Sequence, residues 1–129
     1  MQIHQSAEDY LETILMLSQR MGKVRTIDVV NELGFTKASV SIAMKKLREN
    51  GYIAVDGEGN LTLLEPGLEI AQRIYSRHRL LTHFFVQLGV DEQTAAEDAC
   101  KAEHILSEQT LEKIRESALR NDAAHPQAK

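Results

Sequence analysis

The chain has 129 residues, of which 43% are hydrophobic, enough for one ordinary domain or two small ones with a buried core. It has one cysteine, a net charge of −4 at pH 7, and no apolar run near the roughly 18 residues of a membrane span. This composition excludes an intrachain disulfide and argues against a protein that coats nucleic acid non-specifically. The N-terminal sequence also lacks the pattern of a signal peptide, so we expect a cytoplasmic protein with no membrane partner.

Basic residues are concentrated in the segment 20–48, which has seven of them against two acidic residues. Acidic residues are concentrated before this segment and again in 91–116. Such an asymmetry indicates an anionic partner for the middle of the chain and a cationic partner for its flanks. The alternative is a set of solvated faces that differ in charge without binding anything.

The first half of the chain contains three predicted helices. The first runs from about residue 7 to residue 20 or 21, with Ser6 as its N-cap and Gly22 near its end. Thr26 is a candidate N-cap for a short second helix that Gly34 closes. Thr36 caps a third helix, from Lys37 to about Asn50. Two short helices joined by a three-residue turn, 34–36, are typical of a helix-turn-helix.

Two short strands follow the third helix. Residues 52–55 and 61–64 have strand character, and the intervening 56–60 is rich in residues that tolerate positive φ. A helix-turn-helix followed at once by a hairpin predicts a winged helix with a two-stranded wing. We therefore predict a mostly α protein whose first domain, 1–65, is a winged-helix DNA-binding domain.

The second half is predicted to be helical throughout. Pro66 suits the first turn of a long fourth helix that ends at Gly89, Asp91 caps a fifth helix to about Leu106, and Ser107 begins a sixth. The fourth helix has an apolar stripe that one histidine interrupts, formed by Leu68, Ala71, Ile74, His78, Leu81, Phe85 and Leu88. The predicted second domain is helical, 66–120, followed by a flexible tail, 121–129.

The third predicted helix is the recognition helix of the helix-turn-helix. Its first residues have short side chains, and its C-terminal half is basic. Short or donor-bearing side chains allow close approach to a groove floor, and basic residues further along suit phosphate. The predicted DNA contacts are Arg25, Thr36, Lys37, Ala38, Ser39, Ser41, Lys45, Lys46 and Arg48. Asp56 and Glu58 work against the tip of the wing lying close to phosphate. The alternative for the basic residues is an ordinary solvated helix face.

The run Cys100-Lys101-Ala102-Glu103-His104 offers three types of metal ligand in five residues. On a helix, Cys100, Glu103 and His104 share one face, so a thiolate, a carboxylate and an imidazole project together. The alternative is a cysteine packed as a small apolar residue beside a solvated Glu-His pair.

Ligand-type side chains also occur on two other predicted helices. His78 interrupts the apolar stripe of the fourth helix, and Asp9 and Glu12 share a face of the first. Each has a structural alternative: His78 as a core histidine bonded to a carbonyl, and Asp9 as a capping carboxylate that answers Ser6. These alternatives do not explain why three helices each offer such side chains.

Four runs of the chain, from residue 6 to about 115, resemble the diphtheria toxin repressor family, which includes the manganese transport regulators. They are SAEDYLETIL, ASVSIAMKKLRENGYI, RHRLL and LGVDEQTAAEDACKAEHILSE. The resemblance implies an N-terminal winged helix joined to a dimerisation domain, activation by Fe(II) or Mn(II), and binding as a homodimer to palindromic operators of metal-uptake genes. The implied ligands are Asp9, Glu12, His78, Cys100, Glu103 and His104.

The chain departs from both branches of that family. The manganese branch usually has a glutamate at the position of Cys100, and the iron branch has a methionine at the position of Asp9. Thr82 and Ala96 stand where the ancillary site of the iron branch has an acid and a histidine. The resemblance therefore implies a hybrid site, in which hard oxygen ligands favour Mn(II) and the cysteine favours Fe(II), Co(II) or Zn(II).

The resulting hypothesis is a switch. A cation could be held by both domains at once, and it would then restrain the two recognition helices of a dimer to half-sites about 34–36 Å apart. The ligands would be Asp9 and Glu12 of one domain, Cys100, Glu103 and His104 of the other, and His78 on the long helix between them. One rival is a winged-helix regulator that senses no metal. A second is an enzyme, because Cys-x-x-Glu-His resembles the inverted zinc-protease motif with Glu103 as general base. The enzyme reading leaves the winged helix unexplained, so we expect no catalysis and no small organic substrate.

Overall fold

The structure, a computed structural model, describes residues 5–124. The elements are α1 (Gln5–Met21), β1 (Val24–Arg25), α2 (Thr26–Leu33), α3 (Lys37–Glu49), β2 (Ile53–Val55), β3 (Asn60–Leu63), α4 (Glu65–Gln87), α5 (Glu92–Ala102) and α6 (Glu108–Ala124). They divide into a first unit, Met1–Arg73, and a second unit, Ile74–Lys129. None of the helices in the described range has the length and apolarity to cross a membrane.

The predicted helix-turn-helix is confirmed, with corrections at two N-caps. α1 begins by Gln5, so Ser6 lies inside the helix and the prediction of Ser6 as its N-cap is wrong. Arg25, not Thr26, is the N-cap of α2, because the Asp28 carboxylate accepts the Arg25 backbone N–H at 2.9 Å and Thr26 takes the first helical position. Gly34 ends α2 at φ 71°, which a residue with a Cβ adopts at a cost.

The start of the recognition helix is as predicted. The Thr36 hydroxyl accepts the backbone N–H of Ser39 at 3.1 Å, so Thr36 caps α3. Val40, Met44 and Leu47 then recur on one face of α3 and are buried. The opposite face of the helix therefore remains available to a partner.

The wing has a third strand that was not predicted. β3 pairs antiparallel with β2, which places Ile53 opposite Leu63, and on its other edge it pairs with β1, which places Val24 opposite Leu61. A two-residue strand leaves no alternating pattern in a sequence, and only its pairing reveals it. In the loop of the wing, the Asp56 carboxylate accepts the backbone N–H groups of Glu58 and Asn60, each at 2.9 Å. These bonds lower the pKa of Asp56, and those from Asn60 have the largest effect.

The first unit has a conventional apolar core and one tight backbone contact. α1 packs against α2, α3 and β3. The buried apolar residues include Leu11, Ile14, Val24, Val29, Val40, Leu47, Ile53 and Leu61. Gly67, in the first turn of α4, lies so close to the backbone carbonyl of Tyr52 that a Cβ at this position would overlap the carbonyl oxygen.

The second unit has a smaller core around Leu81, Ala99 and Leu111. α5 ends at Ala102, four residues before its predicted end near Leu106, because the N–H groups of Ile105 and Leu106 both turn back to the carbonyl of Ala102. Leu88, the last member of the predicted apolar stripe, lies beyond α4, which ends at Gln87, and is exposed. Residues 121–124 of the predicted tail belong to α6, and 125–129 lie outside the described residues.

Candidate metal centre and nucleic-acid interface

A buried carboxylate lies at the centre of the candidate metal site. Glu103, the C-cap residue of α5, has no exposed surface, and burial of a carboxylate is costly unless it is paired. Its Oε2 lies 3.0 Å from Nδ1 of His78 on α4, and its Oε1 lies 3.4 Å from Nε2 of His104. The second unit thus brings together one carboxylate and two imidazoles from α4 and from the end of α5, although His78 and Glu103 are 25 positions apart in the sequence.

The bonding of Glu103 is incomplete in a way that fits a cation. Among the described residues no group donates a hydrogen bond to Oε1, although this atom is buried. The His104 side chain beside it is 1% exposed, so little water reaches it. A buried, negatively charged oxygen without a donor is expensive, and a bound cation supplies what it lacks. The donor set of carboxylate and imidazole also fits a divalent transition metal.

The turn that follows α5 is held in place by Arg77, whose role was not predicted from the sequence. Arg77, one residue before His78 on α4, donates from Nη1 to the backbone carbonyl of Glu103 at 3.3 Å, and its Nη2 pairs with the carboxylate of Glu108. The Arg77 side chain is only 16% exposed. Arg77 and Glu108 are 31 positions apart and have no local pattern in common. Only the fold shows that they anchor the residues between α5 and α6.

The other predicted ligands lie in less enclosed positions or in the first unit. Cys100 is exposed on α5, one turn before Glu103. Asp9 is half-buried and Glu12 is buried, both on α1. Burial, and to a lesser degree the charge of Asp9, raises the pKa of the neighbouring Tyr10 hydroxyl. Because Ser6 is not the N-cap of α1, the alternative role of Asp9 as a carboxylate answering that cap is removed.

The nine predicted DNA contacts all lie on the surface of the first unit. Arg25, Thr36, Lys37, Ala38, Ser39, Ser41, Lys45, Lys46 and Arg48 are all exposed. Within residues 5–124, no carboxylate pairs with Lys37, Lys45, Lys46 or Arg48. Ile42, also on α3, is 58% exposed and was not among the predicted contacts. This face combines free positive charge with one apolar side chain.

The fold and the site together define a class of protein: a winged-helix DNA-binding unit followed by a helical unit with a cluster of metal-ligand side chains. Comparison with known protein families supports the same class. Residues 2–61 match the family described as "Iron dependent repressor, N-terminal DNA binding domain", and residues 64–126 match "Iron dependent repressor, metal binding and dimerisation domain". The chain belongs to the iron dependent repressor family.

Individual relatives support this assignment. An uncharacterised HTH-type transcriptional regulator of Methanocaldococcus jannaschii, MJ0568, is 38% identical over 86% of this chain and 90% of its own length. The HTH-type transcriptional regulator MntR of Lysinibacillus sphaericus is 33% identical over 84% of this chain and 78% of its own. A solved manganese-dependent transcriptional repressor in complex with manganese is 30% identical with a TM-score of 0.78; the match covers 87% of this chain and 52% of that one, so the present chain spans about half of that protein.

Proposed function

We propose that this protein is a metal-responsive transcriptional repressor that binds Fe(II) or Mn(II) and then, as a homodimer, binds palindromic operators of metal-uptake genes. The main observation in support is the buried Glu103 carboxylate between two imidazoles, in a chain whose other unit is a winged helix. A cationic ligand is the simplest partner for such a group. The likeness to a solved manganese-dependent transcriptional repressor supports the choice of metal.

The proposed ligands are Asp9, Glu12, His78, Cys100, Glu103 and His104. When bound, the ion supplies the positive charge that offsets the carboxylates. Glu103 is rigidly placed for this role, because it caps α5 and its carbonyl is held by Arg77. Asp9 and Glu12 are hard oxygen donors, whereas the exposed Cys100 is a soft donor. Because of this contrast, both Mn(II) and Fe(II) are proposed as the bound ion.

The proposed sensor is tested by metal titration of the intact protein under anaerobic, reducing conditions. Competition against a fluorescent chelator gives the affinities for Mn(II), Fe(II) and Zn(II) under identical conditions. We expect saturable binding of Mn(II) and Fe(II), and weaker binding of the oxygen-preferring Mn(II) in Glu12→Gln than in Cys100→Ser. Absence of saturable binding of any of the three ions would support the rival regulator that senses no metal.

Arg77 is expected to control metal affinity without touching the ion. Loss of a group that orients a ligand typically weakens binding about 10–100-fold. We expect a loss of affinity in this range for Arg77→Met. A smaller loss is expected for Arg77→Lys, which keeps the positive charge but not the two guanidinium N–H donors that reach separate partners. Chelator competition measures both, and thermal unfolding of the metal-free variants checks the fold. Equal affinity in Arg77→Met and the wild type contradicts a positioning role.

The exposed face of α3 is the proposed DNA-reading surface. The first turn, which includes Ser39 and Ser41, would face base edges, and Lys45, Lys46 and Arg48 would contact phosphate. Ile42 adds an apolar surface suited to the methyl group of a thymine. Arg25, outside α3, is proposed as a further phosphate contact.

The basic residues of α3 are expected to act on affinity without changing sequence preference. Each phosphate contact contributes about 0.9 to the slope of log K against log salt, so Lys45→Ala in a dimer is expected to reduce the slope by about 2. Fluorescence anisotropy at several salt concentrations, with operator and random duplexes, measures this. Lys101→Ala on α5 is the matched control and is expected to leave the slope unchanged. A slope that responds equally to both substitutions contradicts the proposed surface.

The burial of Glu103 argues against the alternative that this protein is a hydrolytic enzyme with Glu103 as its general base. A general base must reach a water molecule or a substrate, whereas Glu103 has no exposed surface and its two oxygens face imidazoles. We therefore propose that Glu103 and His104 serve binding and not hydrolysis. Peptidase activity that disappears in Glu103→Gln would contradict this proposal.

A further inference from the structure

A second cluster of polar side chains occurs in the second unit, apart from Glu103. His83 and Gln87 are one turn apart on α4, and Asp122 lies in the last turn of α6. His83 Nε2 is 3.1 Å and 3.2 Å from the two carboxylate oxygens of Asp122. Gln87 Nε2 is 2.8 Å from Asp122 Oδ1, 3.1 Å from His83 Nε2 and 3.5 Å from the carbonyl of Ala118.

Hydrogen bonds among these three side chains cannot account for all of their short contacts. If His83 Nε2 bears a proton, it donates to Asp122 and then faces the amide N–H groups of Gln87, donor against donor. If Nε2 is unprotonated, it accepts from Gln87 and its lone pair then faces the Asp122 carboxylate. A ring nitrogen of histidine fills one role at a time. Either assignment leaves one short contact without a hydrogen bond.

The amide oxygen of Gln87 adds a second conflict. Gln87 Oε1 is buried, and no described residue donates a hydrogen bond to it. A half-turn of the amide group would exchange Oε1 with Nε2 and bring the oxygen beside Asp122 and His83. Without a positive charge between them, that arrangement would place lone pairs against lone pairs. With a cation, the same three groups become a convergent set of donors.

The spacing of the three groups matches a coordination shell. Ligand atoms at about 2.1 Å from an octahedral ion are about 3.0 Å from one another. The separations between the polar atoms of His83, Gln87 and Asp122 are 2.8–3.2 Å. The side chains of His83 and Asp122 are 49% and 45% exposed, so water has access to complete the shell.

We propose that His83, Gln87 and Asp122 form a second divalent-cation site, separate from the site at Glu103. The ion would accept a lone pair from each group and remove both conflicts, and it would fasten the last turn of α6 to α4. One nitrogen and the remaining oxygens form a ligand set that binds Zn(II) more tightly than Mn(II), following the general order of divalent affinities. The proposal is independent of the ligands proposed around Glu103.

Zinc stoichiometry of the full chain tests this site. Isothermal titration with Zn(II), in the presence of reductant, is expected to show two ions per chain in the wild type. His83→Ala and the nearly isosteric Asp122→Asn are each expected to lose one ion, and Asp98→Asn, an exposed acid on α5, to lose none. His104→Ala separates the two sites, because it is expected to lose the other ion while the His83 site keeps its own.

A structural readout complements the count. Zn(II) is expected to raise the unfolding temperature of His104→Ala, and this rise is expected to vanish when His83→Ala is added, because an ion that binds only the native state stabilises it. Wild-type stoichiometry in both His83→Ala and Asp122→Asn overturns the proposal. A single zinc ion that disappears in His104→Ala and persists in His83→Ala overturns it as well, while leaving the metal-sensor proposal intact.

Discussion

His104→Ala is expected to weaken the binding of Mn(II) by at least about 100-fold, because loss of a direct ligand exceeds the roughly 10–100-fold cost of losing a group that only orients one. The imidazole of His104 lies beside the one oxygen of Glu103 that accepts no hydrogen bond from the described residues. Without that imidazole, the ion loses one donor and Glu103 Oε1 loses the side chain beside it. Chelator competition with Mn(II) measures the change.

Two further variants make this result interpretable. Lys101→Ala, at an exposed position three residues earlier, is the matched control and is expected to bind Mn(II) like the wild type. His104→Gln keeps a hydrogen-bond donor and much of the volume, so it separates loss of a ligand from loss of packing. If His104→Ala and His104→Gln both retain wild-type affinity while remaining folded, His104 is not a ligand.

Gly67→Ala is expected to destabilise the first unit by about 1–3 kcal/mol or more, the usual cost of overpacking. The new Cβ would overlap the backbone carbonyl oxygen of Tyr52, and backbone relieves such an overlap only by moving β2 or α4. The direction is diagnostic, because alanine is favoured over glycine inside helices by about 1 kcal/mol. Propensity alone would therefore make the same substitution stabilising.

Urea denaturation of the metal-free protein measures this change, and Gly57→Ala provides the control. Gly57 lies in the loop of the wing, and a Cβ there would meet no atom within 4 Å. We expect the midpoint for Gly57→Ala to remain close to that of the wild type. A Gly67→Ala variant as stable as Gly57→Ala would show that the contact between α4 and the Tyr52 carbonyl relaxes at little cost.

The DNA-binding half was predictable because its signals are local. Thr36 as an N-cap, Gly34 as a left-handed residue, and the turn-forming residues 56–60 each act within a few positions, and the structure has α3 and the wing where they predict. The wrong prediction of Thr26 as the N-cap of α2 also came from a local signal. Threonine is a preferred N-cap and arginine is not, but the bond from the Arg25 N–H to Asp28 makes Arg25 the N-cap.

The metal centre was only partly predictable from the sequence. The helix spacing that grouped Glu103 with His104 assumed a helix through both residues, but α5 ends at Ala102 and His104 lies in the turn beyond it. His78 was left between a carbonyl-bonded core histidine and a ligand, and the fold places it against a carboxylate. The site predicted at these residues stays a prediction until an ion is measured there.

Contacts between distant parts of the chain could not be predicted at all. Arg77 contacts Glu108 across 31 positions, and His83 contacts Asp122 across 39. Periodicity identifies the buried face of each helix but not the residue on a neighbouring helix that lies opposite. β1 was missed for a related reason, because its two residues have meaning only through their pairing with β3.

If metal binding controls DNA binding, the affinity of the protein for operator DNA must differ with and without metal. Anisotropy of a labelled palindromic operator from a metal-uptake gene is measured anaerobically with Mn(II), with Fe(II) and with chelator. The typical coupling of 1–3 kcal/mol predicts an affinity about 5–150-fold higher with metal, and the difference is expected to disappear in His104→Ala. Equal affinity with metal and with chelator would show that metal does not control DNA binding.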